Sequence, residues 1–438
     1  MFTIGKKIQP SFSKEVLQEY FSATGCKHVV CNAPFSGLYF VPDGTVKPCC
    51  ALSPDAAFGN YNTTGIADLF KSDNRKKLQH LMKKNNLSFG CGNCASNIEK
   101  GNYTGSISSL YYKFSPGKLP EVIDFELSHF CNLSCEMCYL HTASAVENTV
   151  YGDAFSEEIK PFLKKLRTAR FYGGEPFLIQ SYYKIWEYIA QQNPRCHVHI
   201  QTNGTVLNEK ILQVLGSCDT FIGVSIDAAE KDTYENIRRG ASFDTVLKNA
   251  AIFSEIMQKQ GKSLTISICP MPQNFKQIPE ILKLADTLNA VVFFNTVNYP
   301  SRFNLGFITS DKLNYAATFL KDFRPGNSSN PNSLSNWNKL QGIIQGIEYM
   351  AKKNSVTEKR LTPLKTDDFI RQLCERIQEP EVSEKVLLLM NKASVNTHVN
   401  IYLQDYIAGI EPLEIKHLIN RIVKNSDVNY LQNIFNTE

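Results

Sequence analysis

The sequence predicts an α/β protein built on parallel strands, with a cysteine-rich module before them and a helical region after them. Three observations carry this reading. Residues 121–322 alternate short β-rich runs with longer helical patterns, which is how βα units read. Nine of the thirteen cysteines fall between Cys26 and Cys138, so the cysteines mark a region rather than the whole chain. The most distinctive short motifs lie at or just after the C-terminal ends of the predicted strands, the rim on which parallel α/β barrels assemble their sites. A chain of 438 residues is too long for one ordinary core. We divide it into an N-terminal extension (1–25), a cysteine-rich module (26–110), a six-unit core (111–322), a linker (323–337) and a helical C-terminal domain (338–438).

The six strands can be taken in order. Glu121 to Leu127 is β-rich and runs directly into a cysteine loop. Ala169 to Tyr172 ends at Gly173-Gly174-Glu175-Pro176, and His197 to Thr202 ends at Asn203-Gly204. Thr220 to Asp227 precedes a helix from about Lys231, and Leu264 to Ile268 and Val291 to Asn295 complete the set. Helical patterns over 182–191, 209–215 and 278–288 lie between them. Six units rather than eight predict a partial (β/α)6 barrel, TIM-like but splayed. Arg324 to Ser333 is rich in Pro, Gly, Asn and Ser and reads as a linker. The helical pattern from Asn338 places Leu340, Ile343, Ile344, Ile347 and Met350 on apolar positions.

Hydrophobic content of 43% and charged content of 20% describe a globular protein. A net charge of +5 over this length is mild and argues neither for nor against nucleic acid, so no nucleic-acid partner is evident. Apolar runs such as 290–294 are strand-length and far short of a membrane span. Lys6 and Lys7 interrupt any apolar run at the N-terminus, so no secretory signal begins there and a reducing, cytoplasmic location is the expectation. In that setting clustered cysteines mean metal or catalysis rather than disulfides.

Cys131, Cys135 and Cys138 stand in His129-Phe130-Cys131-Asn132-Leu133-Ser134-Cys135-Glu136-Met137-Cys138-Tyr139. A zinc site wants four N/S ligands, usually with a partner pair elsewhere. A complete four-iron cluster also takes four thiolates, so three leave one iron for an outside ligand. The Cys-x3-Cys-x2-Cys loop followed by an aromatic resembles the signature of the radical S-adenosylmethionine (SAM) enzymes. The resemblance implies that SAM binds the open iron of a [4Fe–4S] cluster held by these three cysteines and is cleaved reductively to a 5′-deoxyadenosyl radical. It also implies the partial barrel, and an external electron donor of flavodoxin or ferredoxin type.

On the same resemblance Gly173, Gly174 and Glu175 contact SAM, with strand-end carbonyls receiving its ammonium, and glycine allows close backbone approach. Ser225 and Arg238 stand where relatives contact ribose and carboxylate, with Arg239 as the alternative to Arg238. Asn203 matches the polar contact after the third strand and equally suits a turn. Tyr139 stacks near adenine or packs in a core, and Asn298 is a weaker nomination. The general acid or base is not readable.

Cys31, the Asp43-Gly44 hairpin signal, Cys49 and the pair Cys91-Gly92-Asn93-Cys94 resemble the auxiliary-cluster module called twitch, a short form of the SPASM domain. Four thiolates, Cys31, Cys49, Cys91 and Cys94, then hold a second [4Fe–4S] cluster. Zinc is the alternative, Cys50 competes with Cys49, and Cys26 is not a ligand. Relatives carry this module after the barrel, whereas here it comes first. Such enzymes often modify peptides or proteins oxidatively, and some act on sugars or other small molecules. A peptide substrate leads, with a small-molecule dehydrogenase or epimerase next and a non-enzymatic iron–sulfur or zinc scaffold third. The resemblance says nothing of the last hundred or so residues.

Overall fold

The computed structural model describes residues 9–103, 105–138, 149–297, 300–324 and 330–361, with the short pieces 364–365, 368, 371–372 and 398–399. Tyr139, Asn298 and most of the C-terminal region lie outside the described residues. The chain forms two compact units. The first takes residues 1–132, 142–223 and 255–262, and the second takes 133–141, 224–254 and 263–438.

The first unit opens with helix α1 (Lys14–Thr24), capped by Ser13, whose side chain accepts from the Val16 N–H. Strands β1 (Gly37–Phe40) and β2 (Thr45–Lys47) follow as the predicted hairpin, and β3 (Gly59–Asn60) pairs antiparallel with β2. Gly44 supplies the turn's left-handed residue at φ 88°, where a side chain would also run into Asn60 and Asn62. Helices α2 (Asp73–Met82) and α3 (Gly92–Glu99) complete the N-terminal part.

The barrel strands of this unit are β4 (Val122–Phe125), β5 (Thr168–Phe171), β6 (His197–Thr202) and the first part of β7 (Asp219–Ser225). Between them lie α4 (Asp153–Glu158), α5 (Gln180–Gln192) and α6 (Glu209–Ser217). The strand order is β3-β2-β1-β4-β5-β6-β7. β4 runs parallel to β5, with Asp124 opposite Arg170, and β5 runs parallel to β6, with Arg170 opposite His199.

β1 is also parallel to β4, with Tyr39 opposite Asp124. The N-terminal module therefore adds three strands to the barrel's own sheet, which a reading of Asp43-Gly44 as a free hairpin does not anticipate. The reason is visible in β1, where Gly37, Leu38, Tyr39 and Phe40 are all buried. A strand covered on both faces belongs inside a parallel sheet rather than at an open edge.

One face of this sheet is an aromatic row. Phe40 stacks on Phe125 and Phe125 on Phe171, at centroid distances of 5.9 and 4.9 Å. Phe155 of α4 and Tyr182 and Trp186 of α5 close over the row edge-on. Each fully buried ring of this kind contributes about 1.5–3 kcal/mol of hydrophobic stabilisation. The Tyr182 hydroxyl accepts from the Leu127 N–H (3.0 Å) and lies within hydrogen-bond reach of the Phe125 and Tyr172 carbonyls, binding the ends of β4 and β5 together. The other face carries Tyr39, Asp124 and Arg170. Asp124 is buried, pairs with Arg170 (3.3 Å) and accepts from the Tyr111 hydroxyl (3.0 Å).

The second unit contains the end of β7, helix α7 (Lys231–Ile237) and most of α8 (Phe243–Lys259). Strands β8 (Thr265–Ile268) and β9 (Val291–Phe294) are parallel and flank α9 (Ile278–Thr287). The Ile226 N–H, just past β7, donates to the Ser267 carbonyl of β8 (3.0 Å). Helices α10 (Ser310–Lys321) and α11 (Pro331–Arg360) then pack together. α11 begins inside the stretch read as linker. Asn330 caps it by accepting from the Asn332 N–H (2.9 Å), and Pro331 occupies its first turn, a start signal that Asn-Pro composition disguises as a loop.

α11 covers β9. Asn336 accepts from the Val292 N–H (2.8 Å) and donates to the Ala290 carbonyl (2.9 Å), while Lys339 donates to the Val292 carbonyl (2.8 Å). Side chains thus occupy backbone groups that a strand edge otherwise offers to another chain. Among the described residues no helix is long and apolar enough to cross a membrane.

Candidate cofactor sites

The approach to the cysteine loop is built by backbone contact. The Gly174 N–H donates to the Ser128 carbonyl (3.0 Å) and the Glu175 N–H to the Phe130 carbonyl (2.8 Å). Gly173 has φ 115°, and a Cβ there would fall 2.3 Å from the Ser128 oxygen; at Gly174 it would fall 1.9 Å from the Phe130 oxygen. Both glycines are therefore required by the chain segment that leads into Cys131, whatever ligand they also meet. Tyr39 of β1 donates its hydroxyl to Glu126 on the same approach, and His129 Nε2 lies 3.5 Å from the other Glu126 oxygen.

Glu175 has no exposed surface. It accepts from the Thr202 hydroxyl (2.6 Å), the Asn203 N–H (2.7 Å) and the Phe177 N–H (3.2 Å), so it braces the end of β6. Asn203, 7% exposed, donates its amide to Cys131 Sγ (3.7 Å) and to Asn132 Oδ1 (3.0 Å). Its position after a strand suggests a turn residue. The structure makes it both a turn residue and a donor to a thiol.

In the second unit, Ser225 ends β7 and its carbonyl lies 3.4 Å from the Tyr234 hydroxyl. Arg238 is buried. Its Nε and Nη2 meet Asp227 Oδ2 at 2.7 and 2.6 Å, and its Nη1 lies 3.9 Å from Cys135 Sγ. Burial raises the Cys135 thiol above its ordinary range, while the Arg238 guanidinium pulls it back down. Asp227 is fully buried and also accepts from the Cys269 N–H (2.7 Å). Asn274 donates to the carbonyls of Asp227 and Cys269, both at 2.9 Å. Arg239 is largely exposed and pairs with Glu136, so the two adjacent arginines have separate surroundings. The Glu136 N–H donates to the Ile237 carbonyl (2.9 Å), fixing the Cys135–Cys138 half of the loop to the end of α7.

The N-terminal cysteines form the second set. Cys31, Cys49, Cys91 and Cys94 line one common small space, walled by apolar residues including Ala33, Pro48, Leu52, Met82 and Leu87. Loss of hydration raises the Cys31 and Cys49 thiols well above their ordinary range, and the neighbouring sulfurs raise them further. Burial, with Cys94 beside it, pushes Cys91 up to about 12. Thiolates that would repel one another in an apolar space fit a positively charged iron core that offsets their charge.

Zinc would gather its thiolates about one point, with Zn–S near 2.3 Å. Among the described residues no three His, Cys, Asp or Glu side chains converge closely enough to hold a single ion. The twelve described cysteines form no disulfide. Cys50 does not line the space. It reaches solvent, yet the protein around it strips enough hydration to push its thiol up to about 11, with Asp124 adding to the effect. Cys26 is buried and lies 3.9 Å from the Tyr20 hydroxyl, apart from that lining.

Four residues that shape these sites escape sequence reading: Thr202, Tyr182, Asp227 and Asn274. Only Asp227 leaves a local trace, as an acid at a strand end in Ser225-Ile226-Asp227.

Two stretches of the chain match known families. Residues 125–285 match the radical SAM superfamily, and residues 31–95 match SPASM, an iron–sulfur cluster-binding domain. The chain is 25% identical over 192 residues to the antilisterial bacteriocin subtilosin biosynthesis protein AlbA of Bacillus subtilis, covering 43% of this chain and 41% of that protein. It is 28% identical over 181 residues to the AdoMet-dependent heme synthase of Methanosarcina barkeri, covering 40% and 49%. The chain thus spans less than half the length of these two relatives. Among solved structures, Streptococcus suis SuiB bound to its precursor peptide SuiA aligns with a TM-score of 0.38 at 16% identity, over 61% of this chain and 57% of that one. The chain carries a radical SAM domain and, before it, an iron–sulfur domain of SPASM type. The cofactors that go with them are SAM, a [4Fe–4S] cluster and auxiliary iron–sulfur.

Proposed function

We propose that this protein is a radical SAM maturase that oxidises a peptide or protein substrate at an unactivated C–H bond. The observation that carries the reading is the Cys131-x3-Cys135-x2-Cys138 loop set directly after β4, within the stretch that matches the radical SAM superfamily. When bound, the cluster and SAM supply a 5′-deoxyadenosyl radical, and an auxiliary cluster takes up the electron released by the substrate. The protein's own part is to place and enclose the reacting groups. Cys131, Cys135 and Cys138 supply three thiolates and leave one iron to SAM. The carbonyls of Gly173 and Gly174 receive the SAM ammonium, Ser225 faces the ribose and Tyr139 stacks on adenine. Cys31, Cys49, Cys91 and Cys94 hold one auxiliary [4Fe–4S] cluster. A flavodoxin- or ferredoxin-like protein of the cytoplasm is the electron donor.

The peptide reading is supported by the relationship to AlbA, a bacteriocin biosynthesis protein. The match to a heme synthase favours a second reading, oxidation of a small molecule. Anaerobic reconstitution, iron counting and a 5′-deoxyadenosine assay test the common part. About eight irons, four per cluster, together with SAM cleavage are expected, and bound zinc without cleavage would overturn it. Assay with short peptides encoded beside the gene then separates the two readings. Turnover of a peptide with loss of two hydrogens supports the first, and turnover only of a small molecule supports the second.

A further inference from the structure

We propose that two buried carboxylates, Glu175 and Asp227, position nitrogen donors on cluster thiolates: Glu175 holds Asn203 on Cys131, and Asp227 holds Arg238 on Cys135. The proposal rests on the assignment of the Cys131 loop as a cluster site, and it adds two positioning carboxylates and two donors that set the cluster's potential.

The geometry on the Cys131 side leaves little freedom. Glu175 takes the Asn203 N–H at 2.7 Å and the Thr202 hydroxyl at 2.6 Å, fixing the backbone at the end of β6. The Thr205 N–H and hydroxyl both donate to Asn203 Oδ1, at 2.9 and 2.7 Å. The amide orientation is thereby decided: oxygen faces Thr205, and nitrogen faces Cys131 Sγ at 3.7 Å.

On the Cys135 side the carboxylate is fixed by backbone too. Asp227 Oδ1 takes the Cys269 N–H, and Oδ2 takes two nitrogens of Arg238. The remaining Arg238 nitrogen, Nη1, is the one that lies 3.9 Å from Cys135 Sγ. Both donors are at least nine-tenths buried, so solvent does not screen them. Reduction adds a negative charge to an iron–sulfur cluster, and hydrogen bonds to its sulfurs stabilise that state and raise the potential. Arg238 carries a full charge and Asn203 only a dipole, so Arg238 has the larger effect.

The test uses the full chain reconstituted anaerobically, with each cluster's potential followed by EPR-monitored redox titration and the auxiliary cluster as internal reference. Arg238→Gln is expected to cut the reduced-to-oxidised ratio of the Cys131-loop cluster about tenfold at a fixed poise, equivalent to about 59 mV for a one-electron couple. Arg238→Lys recovers most of that shift, Asn203→Ala gives a smaller shift in the same direction, and the auxiliary cluster does not move. Arg238→Gln strands Asp227 as a buried charge. If it fails to load iron, Asn203→Ala carries the test, since it strands no charge. Cluster-loaded Asn203→Ala at unchanged potential, or cluster-loaded Arg238→Gln at unchanged potential, would overturn the proposal. Full iron retained after Cys131, Cys135 and Cys138 are all replaced by Ala would instead defeat the underlying assignment, and the proposal with it.

Discussion

The thiols of the Cys131 loop and those of the N-terminal module differ in what surrounds their sulfurs. Cys131 and Cys135 each face a side-chain nitrogen, one of them cationic, and a buried carboxylate holds each donor residue through other atoms: Asn203 by its backbone N–H, Arg238 by Nε and Nη2. The N-terminal set sits in an apolar-walled space, where a backbone group, the Ala33 N–H, donates to Cys31 Sγ at 3.3 Å. The lesson is that a cysteine count describes two similar clusters while the surroundings describe two different jobs. A polar set suits a site that exchanges ligands and electrons. An apolar-walled set suits one that stores or relays them.

The sharpest way to break this contrast is to remove one set at a time. Replacing Cys131, Cys135 and Cys138 together by Ala should bring 5′-deoxyadenosine formation to background and leave about four irons on the chain. Replacing Cys31, Cys49, Cys91 and Cys94 should also remove about four irons, but SAM cleavage should persist, uncoupled from product. If either replacement removes both activities and all iron, the two sets are not separable. A smaller effect is expected at Gly174, where Gly174→Ala forces a Cβ to within 1.9 Å of the Phe130 oxygen. A cost of about 1–3 kcal/mol for such overpacking should lower the urea midpoint and selectively weaken iron loading of the Cys131 loop, read by iron counting. The smallest effect is expected at Cys50. Cys50→Ser should keep full iron and change stability by less than about 0.5 kcal/mol, whereas Cys49→Ser should lose auxiliary iron.

That last pair also shows where sequence reading stops. The spacing of Cys131, Cys135 and Cys138 is legible because one short loop supplies all three. Six barrel strands and the Asp43-Gly44 turn are legible because their patterns are local. Cys49 and Cys50 are indistinguishable as letters, and only the direction each side chain takes separates them. Gly173-Gly174 reads as a ligand contact, but its tightest demand comes from a segment more than forty residues upstream, a fact no local pattern records. Thr202, Asp227 and Asn274 are ordinary polar residues until the fold brings their partners to them. The start of α11 was hidden because Asn-Pro serves both loops and helix caps.

The pairing of β1 with β4 has a consequence for how the protein is made. The N-terminal cysteines leave the ribosome first, yet the strand that carries their hairpin stays unpaired along one side until Val122 to Phe125 emerges some eighty residues later. Closing so long a loop is slow relative to forming the hairpin. Iron delivered early therefore meets an incomplete shell, with the Tyr39–Glu126 and Tyr111–Asp124 bonds still to come. The module is first in the chain, yet its shell stays open until the first barrel strand arrives.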